Sequence, residues 1–433
     1  MLTAVTGINW GDEGKGRVID LLAEKADIVV RYQGGNNAGH TVVTDAGKFI
    51  LNLLPSGIIH PDVVCVLGDG MVVDLEHLAS EIQSIRDKGV AVSPANLKLS
   101  ARATISMPWH RVQDELEEAR LAKTGSAFGS TKRGIAYAYS DKYRKKTLRM
   151  GDLLHLDEEN IKARLKIMLE AKNLELAGCY HQNEMSYNAL LSWCKKQADL
   201  FAPYICDTGS YLSEALKRGK KVVLEAQLGA MRDIDYGIFP YTSSSSTISA
   251  YGPIGAGIPG EQLDHVVGVL KAYSTCVGAG PFVAEKAENE SWKNTLREAG
   301  GEYGAATGRP RRVGPFDVVA SRYGAKCQNV DKIALTKLDV LSNFEVIPVI
   351  TAYKKNGVET DVFDPLEDLD SYEPVVEYLP GWEHDISNCK SWEQLPENAK
   401  AYVNYIEKRM KYQIEFISTG AERNQYLLKG EWL

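Results

Sequence analysis

Gly11-Asp12-Glu13-Gly14-Lys15-Gly16-Arg17 decides how this chain is read. An apolar segment, Leu2 to Ile8, leads into it, and an amphipathic run, Val18 to Ala26, follows. A strand feeding a glycine-rich turn into a helix start makes a phosphate cradle. Backbone N–H groups and the positive helix end converge on an anion there. The loop is not a Walker A sequence, because GxxxxGK[ST] needs glycine at Asn9 and a hydroxyl at Gly16. It carries a carboxylate instead, Asp12. An acid beside a phosphate is electrostatically awkward unless it binds a metal or moves a proton. A helix-capping role is the competing reading for an aspartate here. Local sequence leaves the two even.

Working outward, residues 1 to 45 read as strand, loop, helix, strand, and DIVVRY (27–32) is a near-continuous apolar run. Such runs belong to parallel strands buried on both faces. This one ends in a second glycine-rich loop, Gly34-Gly35-Asn36-Asn37-Ala38-Gly39-His40. Both loops then emerge at strand carboxyl ends, where α/β sheets hold ligands. Further buried strands are expected at 63–68, 221–226, 332–341 and 414–419. Helices are expected over Leu75 to Lys88 and Glu158 to Ala171. Residues 122–146, rich in Gly, Ser, Thr, Lys, Arg and Tyr without a clean period, read as a functional loop region. The expected class is α/β, a large mainly parallel central sheet flanked by helices. The expected organisation is a single domain over 1–433 with insertions, about 100–200 forming a helical and loop subdomain.

Bulk properties narrow the function. A formal charge of −7 argues against a general binder of nucleic acid or anionic membrane. Charged residues interrupt any N-terminal leader, and no segment approaches the ~20 apolar residues of a membrane span. Seven cysteines, with no C-x-x-C pair, fit reduced thiols in a cytoplasmic protein and make a zinc site unlikely on spacing.

Four clusters carry candidate chemistry. His40 closes the second glycine loop, where its imidazole can donate a proton or stabilise charge on a phosphoryl group. Gly308-Arg309-Pro310-Arg311-Arg312 sets three guanidiniums together, which repel unless anions lie between them. A solvated basic turn is the commoner fate of such a run. Thr336-Lys337-Leu338-Asp339 can read guanine, the carboxylate accepting from N1–H and the exocyclic amine while the lysine stem lies along the ring. A strand end with a helix cap is the plain alternative. The hydroxyl run Thr242 to Thr247 is either surface or a phosphate site.

In order and spacing, WGDEGKG, RYQGGNNAGHT, LPSGI, GSTKRGIAYAYSDK, DIDYGIFPYTSSS, LKAYSTCVGAGPF, GAATGRPRR, LTKLDVL, LPGW and ISTG resemble the adenylosuccinate synthetase family over nearly the whole chain. The resemblance implies a fold related to P-loop GTPases, a cytoplasmic homodimer and GTP-dependent, Mg²⁺-assisted ligation of IMP and L-aspartate through a 6-phosphoryl intermediate. That is the first committed step of AMP synthesis within purine biosynthesis. By the same resemblance, Asp12 is base and metal ligand, His40 the acid, and the Gly39 carbonyl a second metal ligand. Gly11, Asp12, Glu13, Gly14, Lys15, Gly16 and Arg17 would wrap the GTP phosphates with Arg311. Lys337, Leu338, Asp339, Ser418, Thr419 and Gly420 would hold guanine. IMP would meet Asp12, Lys15, Asn37, Ala38, Gly39, His40, Thr131, Lys145, Gln227, Ser243 and Arg309. Aspartate would meet Ala306, Thr307, Arg309 and Arg311.

The departures lie near the monophosphate. The family's EGAQG is Glu225-Ala226-Gln227-Leu228-Gly229 here, so Leu228 stands at the purine-contacting glutamine. Gln227 is one residue away and could be presented by a local shift. Gly-Pro is replaced by Ala136-Tyr137, a usual arginine by Cys276, and the arginine reaching across the dimer falls at Lys145, beside Arg144. Losing a buried amide contact costs roughly 1–3 kcal/mol. Two other readings therefore stand beside IMP ligation: the same chemistry on another 6-oxopurine nucleotide such as dGMP or GMP, and a GTP-binding regulator without synthetase activity. The intact Asp12, His40 and arginine loop argue against the second.

Overall fold

Leu2–Gly7, the segment ahead of the cradle, forms strand β1 at the middle of a ten-stranded sheet. The computed structural model describes all residues except 38, 45–46, 126–128, 304–307, 309, 431 and 433, and the side chains of 43 and 44. The other strands of this sheet are β2 (Ile28–Arg31), β3 (Val64–Leu67), β4 (Leu97–Ser100), β5 (Ile205–Cys206), β6 (Val222–Glu225), β7 (His265–Lys271), β8 (Lys332–Thr336), β9 (Ile414–Ser418) and β10 (Tyr426–Leu428). Their spatial order is β10-β9-β8-β7-β1-β6-β2-β3-β4-β5. All neighbours are parallel except the edge pair β9–β10.

The central strands are buried along their whole length, which is why their sequences are continuous and not alternating. The strand period of two still shows in which core each residue joins. Leu2 and Ala4 pack with Ile28, Val222 and Leu224 on one face. Val5 packs on the other with Val18, Ile19 and Leu22 of helix α1 (Lys15–Ala23). A smaller sheet is built on Val346–Lys355, antiparallel to Glu373–Pro380 and Val358–Thr360 and parallel to Phe316–Asp317.

Several expectations need correction. The 332–341 run is not one strand: β8 stops at Thr336, Lys337 takes φ +59°, and Leu338–Leu341 is a single 3-10 turn. The helix expected to end at Ala171 runs over Glu159–Tyr180. Most importantly, 122–146 is not all loop. Ile135–Arg144 is helical, with Ile135, Ala138 and Tyr139 buried at i, i+3, i+4 behind Gly134 in the left-handed region. Ala136 and Tyr143 on its exposed side, and the buried acid Asp141, hide that period.

That helix joins a layer made of α2 (Leu75–Asp87), α3 (Pro108–Ala122), α4 (Ile135–Arg144), α5 (Glu159–Tyr180) and α6 (Tyr187–Phe201). Asp141 of α4 binds the layer together. Its carboxylate accepts from His110 Nε2 (3.0 Å) and Trp109 Nε1 (3.3 Å) of α3 and pairs with Lys172 Nζ (3.1 Å) of α5. No helix among the described residues is long and apolar enough to cross a membrane.

Candidate active site

The cradle turns at Gly11 (φ +100°), Asp12 (φ +59°) and Gly14 (φ +95°), conformations that glycine adopts freely and aspartate tolerates. Gly14 is the N-cap of α1 and no side chain caps that helix, so the capping reading of Asp12 falls. The Asp12 carboxylate instead meets Arg311 Nη2 at 3.0 Å. Glu13 turns inward. It accepts from the N–H groups of Gly11 (2.8 Å) and Asn9 (3.2 Å) and from Lys15 Nζ (2.6 Å), so a buried carboxylate holds the loop open. Gly16, in the first turn of α1, lets the next loop approach: a Cβ there would lie 3.1 Å from that of His40.

His40 begins a β-hairpin, His40–Thr44 with Gly47–Leu51, and its Nδ1 hydrogen-bonds to Glu225 at the carboxyl end of β6. Glu225 also accepts from Ser56 N (2.7 Å) and Ser56 Oγ (2.7 Å). Burial lowers the pKa of His40, while Glu225 pulls it up. Burial works against ionising Glu225, yet His40, Arg31 and Ser56 together hold its carboxyl below the usual range. The imidazole is thereby oriented through Nδ1.

Beyond Asp12 lies a buried charge cluster. Glu302 accepts from Tyr273 OH (2.6 Å), Lys271 Nζ (2.9 Å), Lys337 Nζ (3.0 Å) and Arg311 Nη1 (2.8 Å). Burial opposes its ionisation, but Lys271 and Lys337 hold its carboxyl far below the ordinary value. Past it a cavity of about 250 Å³ is lined by Gly14, Arg17, Lys337, Asp339, Ser418 and Gly420. Arg17 donates to Ser418 Oγ (2.8 Å) and to the carbonyls of Gly420 and Gln425, fastening loop 418–425 to α1. Thr419 is buried behind it, its N–H on the Gln425 carbonyl (2.9 Å). Asp339 Oδ1 is buried without a partner among the described residues, and burial raises the pKa of this carboxyl. An acceptor so placed suits a pair of N–H donors.

On the other side of the cradle a cavity of about 570 Å³ is lined by Gly11, Asp12, Asn37, Thr131, Leu228 and Ser243, with Ala136, Tyr137 and Arg232. Gln227 does not face it. Its amide is buried between Arg31 Nη2 (3.0 Å) and the Gln33 carbonyl (3.1 Å), and Gly34 is required because any Cβ there would strike it. Leu228 takes the wall position, at φ +62°, against Gly11. Arg232 reaches Cys276, donating to its Sγ (3.1 Å) and to the Val277 carbonyl (2.6 Å), so a guanidinium stands beside the position that lacks the expected arginine. In the hydroxyl run Ser245 donates to Gln33 Oε1 (3.0 Å) and the Thr247 N–H to Asp233 (2.6 Å), which makes that run ordered framework at its centre. Lys145 lies away, left-handed (φ +62°) at the end of α4, and Arg144 pairs with Asp141 (3.5 Å).

Leu338 is buried in the turn after Lys337, and Gly39 has open space around it. Ala38, Ala306, Thr307 and Arg309 lie outside the described residues. Glu225, Lys271, Glu302 and Arg232 went unnoticed as site residues in the sequence. An acid ending the apolar run KVVLE and a lysine ending HVVGVLK were legible signals for two of them. Glu302 and Arg232 carried no such mark.

The sequence model of the adenylosuccinate synthetase family matches residues 4–427. The adenylosuccinate synthetase of Caldicellulosiruptor bescii is 44% identical over 431 residues, covering 99% of each chain. The fully ligated adenylosuccinate synthetase structure from Plasmodium falciparum superposes with a TM-score of 0.91 at 37% identity, covering 99% of each chain. The succinoaminodeoxyadenylate synthetase of cyanophage S-2L, bound to dGMP and dATP, is similar in fold alone, with a TM-score of 0.62 at 18% identity over 99% of this chain and 95% of that one.

Proposed function

The chain belongs to the adenylosuccinate synthetase family, and from that premise we propose how its residues divide the work. The reaction is the GTP-dependent ligation of IMP and L-aspartate to adenylosuccinate, releasing GDP and phosphate. GTP lies with its base against Asp339 and its phosphates on the cradle. IMP fills the 570 Å³ cavity, which Asp12 lines, and His40 packs against Gly16 of the same cradle, so the γ-phosphoryl group and the purine 6-oxygen meet beside these two residues. Asp12 removes the N1 proton, which drives negative charge onto O6 as it attacks. His40, steered through Nδ1 by Glu225, presents Nε2 to the phosphoryl oxygens and donates a proton. The aspartate amine then displaces a phosphate from C6 in place of a hydroxide.

The residues fit Mg²⁺. Among the described residues no cluster of three His, Cys, Asp or Glu could hold a metal alone. One carboxylate, Asp12, with the Gly39 carbonyl suits an ion that keeps its waters and takes phosphates for the rest. Bound there, Mg²⁺ offsets charge between Asp12 and the phosphates. Lys15, Asn37, Thr131, Ser243 and Arg309 serve the monophosphate, and Ala306, Thr307, Arg309 and Arg311 the aspartate. Lys145 or Arg144 reaches a partner's site in a cytoplasmic homodimer, each copy one domain with its helical layer inserted.

The single glycine loop that borders both cavities, with Gly11 and Asp12 on the larger and Gly14 and Arg17 on the smaller, is the observation that carries this reading. Incubation with GTP, Mg²⁺ and L-aspartate should release phosphate with IMP and not without aspartate. Release with dGMP or GMP in place of IMP is the outcome that Leu228 in the cavity wall makes worth testing. An Asp12→Ala chain that kept full activity would falsify the assignment.

A further inference from the structure

Glu302 touches more of the site than any residue assigned to catalysis, yet it faces neither cavity. Its carboxylate, with no exposed surface, holds Lys337 on one side and Arg311 on the other. Lys337 also donates to the Gly300 carbonyl (2.6 Å) and, at φ +59°, forms the bend that aims Asp339 at the smaller cavity. Arg311 reaches past Glu302 to Asp12. Glu302 furthermore closes the stem of the segment between them. The Arg311 N–H donates to its carbonyl (2.9 Å), and Tyr303 bridges Pro310.

We propose that Glu302 is a positioning residue that couples guanine binding to the aspartate segment through Lys337 and Arg311. Arg311 has two partners here: Glu302, fully buried, and Asp12, which lines the larger cavity. A guanine nucleotide that fixes the Lys337 bend tightens Lys337 on Glu302. That fixes the stem and leaves Arg311 anchored at Nη1 while Nη2 is free to exchange Asp12 for a ligand anion. Lys271 and Tyr273, rooted at the end of β7, keep the carboxylate from following either neighbour. A buried anion with several donors acts as a fixed post. A structural salt bridge would stabilise the fold without linking the two ligands.

This rests on the ligase reading, and one binding experiment separates the two. GDP affinity is measured in the presence of IMP, with and without saturating L-aspartate. No turnover is possible with GDP. Linkage is reciprocal, so aspartate should tighten GDP by about tenfold in the unaltered chain. In Glu302→Gln the factor should fall to one, while GDP still binds. In Lys337→Met, which leaves the buried carboxylate paired with Lys271, the factor should fall as well. That variant decides alone if Glu302→Gln does not fold. A factor of one in the unaltered chain, or the full factor kept in the folded variants, overturns the coupling. An unaltered chain that binds neither GDP nor IMP sinks the ligase reading and the coupling with it.

Discussion

The two ends of the cleft are built differently. On the guanine side almost every polar group is held by another before any ligand arrives: Arg17 by four loop groups, Lys337 by Glu302 and Gly300, and Arg311 by Glu302. On the purine side part of the wall is Leu228, Thr131, Ala136 and Tyr137, none of them charged, and Leu228 stands in a backbone conformation that bulky residues avoid. A preorganised end does chemistry, because donors fixed in advance need no reorganisation in the transition state. An uncharged stretch of wall can change its ligand without dismantling the catalyst. The lesson is that substitution was tolerated where few buried charges would be orphaned.

Asp12 lines the larger cavity on the loop that also borders the smaller one, and its removal should have the largest effect. Asp12→Asn keeps the shape but can neither accept the purine proton nor offer a full charge. Initial-rate phosphate release should fall by about 10³-fold or more, with KM for GTP changed far less. A loss of only a few-fold would mean that the cradle binds without catalysing.

Next comes the pair His40 and Glu225. Glu225→Gln removes the charge that raises the imidazole pKa against burial. A histidine acting as acid must be protonated, so activity is lost as pH rises through its pKa. Lowering that pKa should move the alkaline limb of kcat to lower pH, with kcat down about 10²-fold at its optimum. A pH–rate profile with an unmoved limb would return Glu225 to the framework.

At the guanine end, Asp339→Asn exchanges an acceptor for a group that also donates. GTP should lose about 1–3 kcal/mol of binding. Xanthosine triphosphate, with a carbonyl where guanine has its amine, should gain. Competition of the two nucleotides in one assay reads both at once. Equal preference before and after would remove Asp339 from base reading.

How much of this was legible in the sequence follows the same division. Strands β1, β2 and β6 were readable because burial on both faces leaves no alternation to misread. The cradle was readable because positive φ needs Gly or Asp at fixed places. Helix α4 was not, since a charged residue, Asp141, is buried beside Ile135, Ala138 and Tyr139 while Ala136 and Tyr143 face outward, which blurs the period. Glu302 was invisible for another reason. Its partners Lys271, Tyr273, Arg311 and Lys337 come from distant segments, and only the fold brings them to one carboxylate. Gln227 shows the limit from the other side: one residue of register decided whether an amide faced the cavity or Arg31.

That register gives the smallest and sharpest expected effect. Gln227 cannot be recruited to the purine without abandoning Arg31 and Gln33, and both bonds are buried, so shifting the loop would leave polar groups unpaired at about 1–3 kcal/mol each. Leu228→Gln asks for no such shift. It places an amide directly in the wall, on a backbone already left-handed, where glutamine is no more strained than leucine. KM for IMP should fall by about tenfold, the low end of a buried hydrogen bond to a ligand, while kcat stays within about twofold. The guanine side should not register the change, since Leu228 faces only the larger cavity. An unchanged KM for IMP, together with release of phosphate from dGMP that the variant loses, would mean that the leucine wall was selecting another purine all along. The difference between the two ends would then be one of substrate as well as of charge.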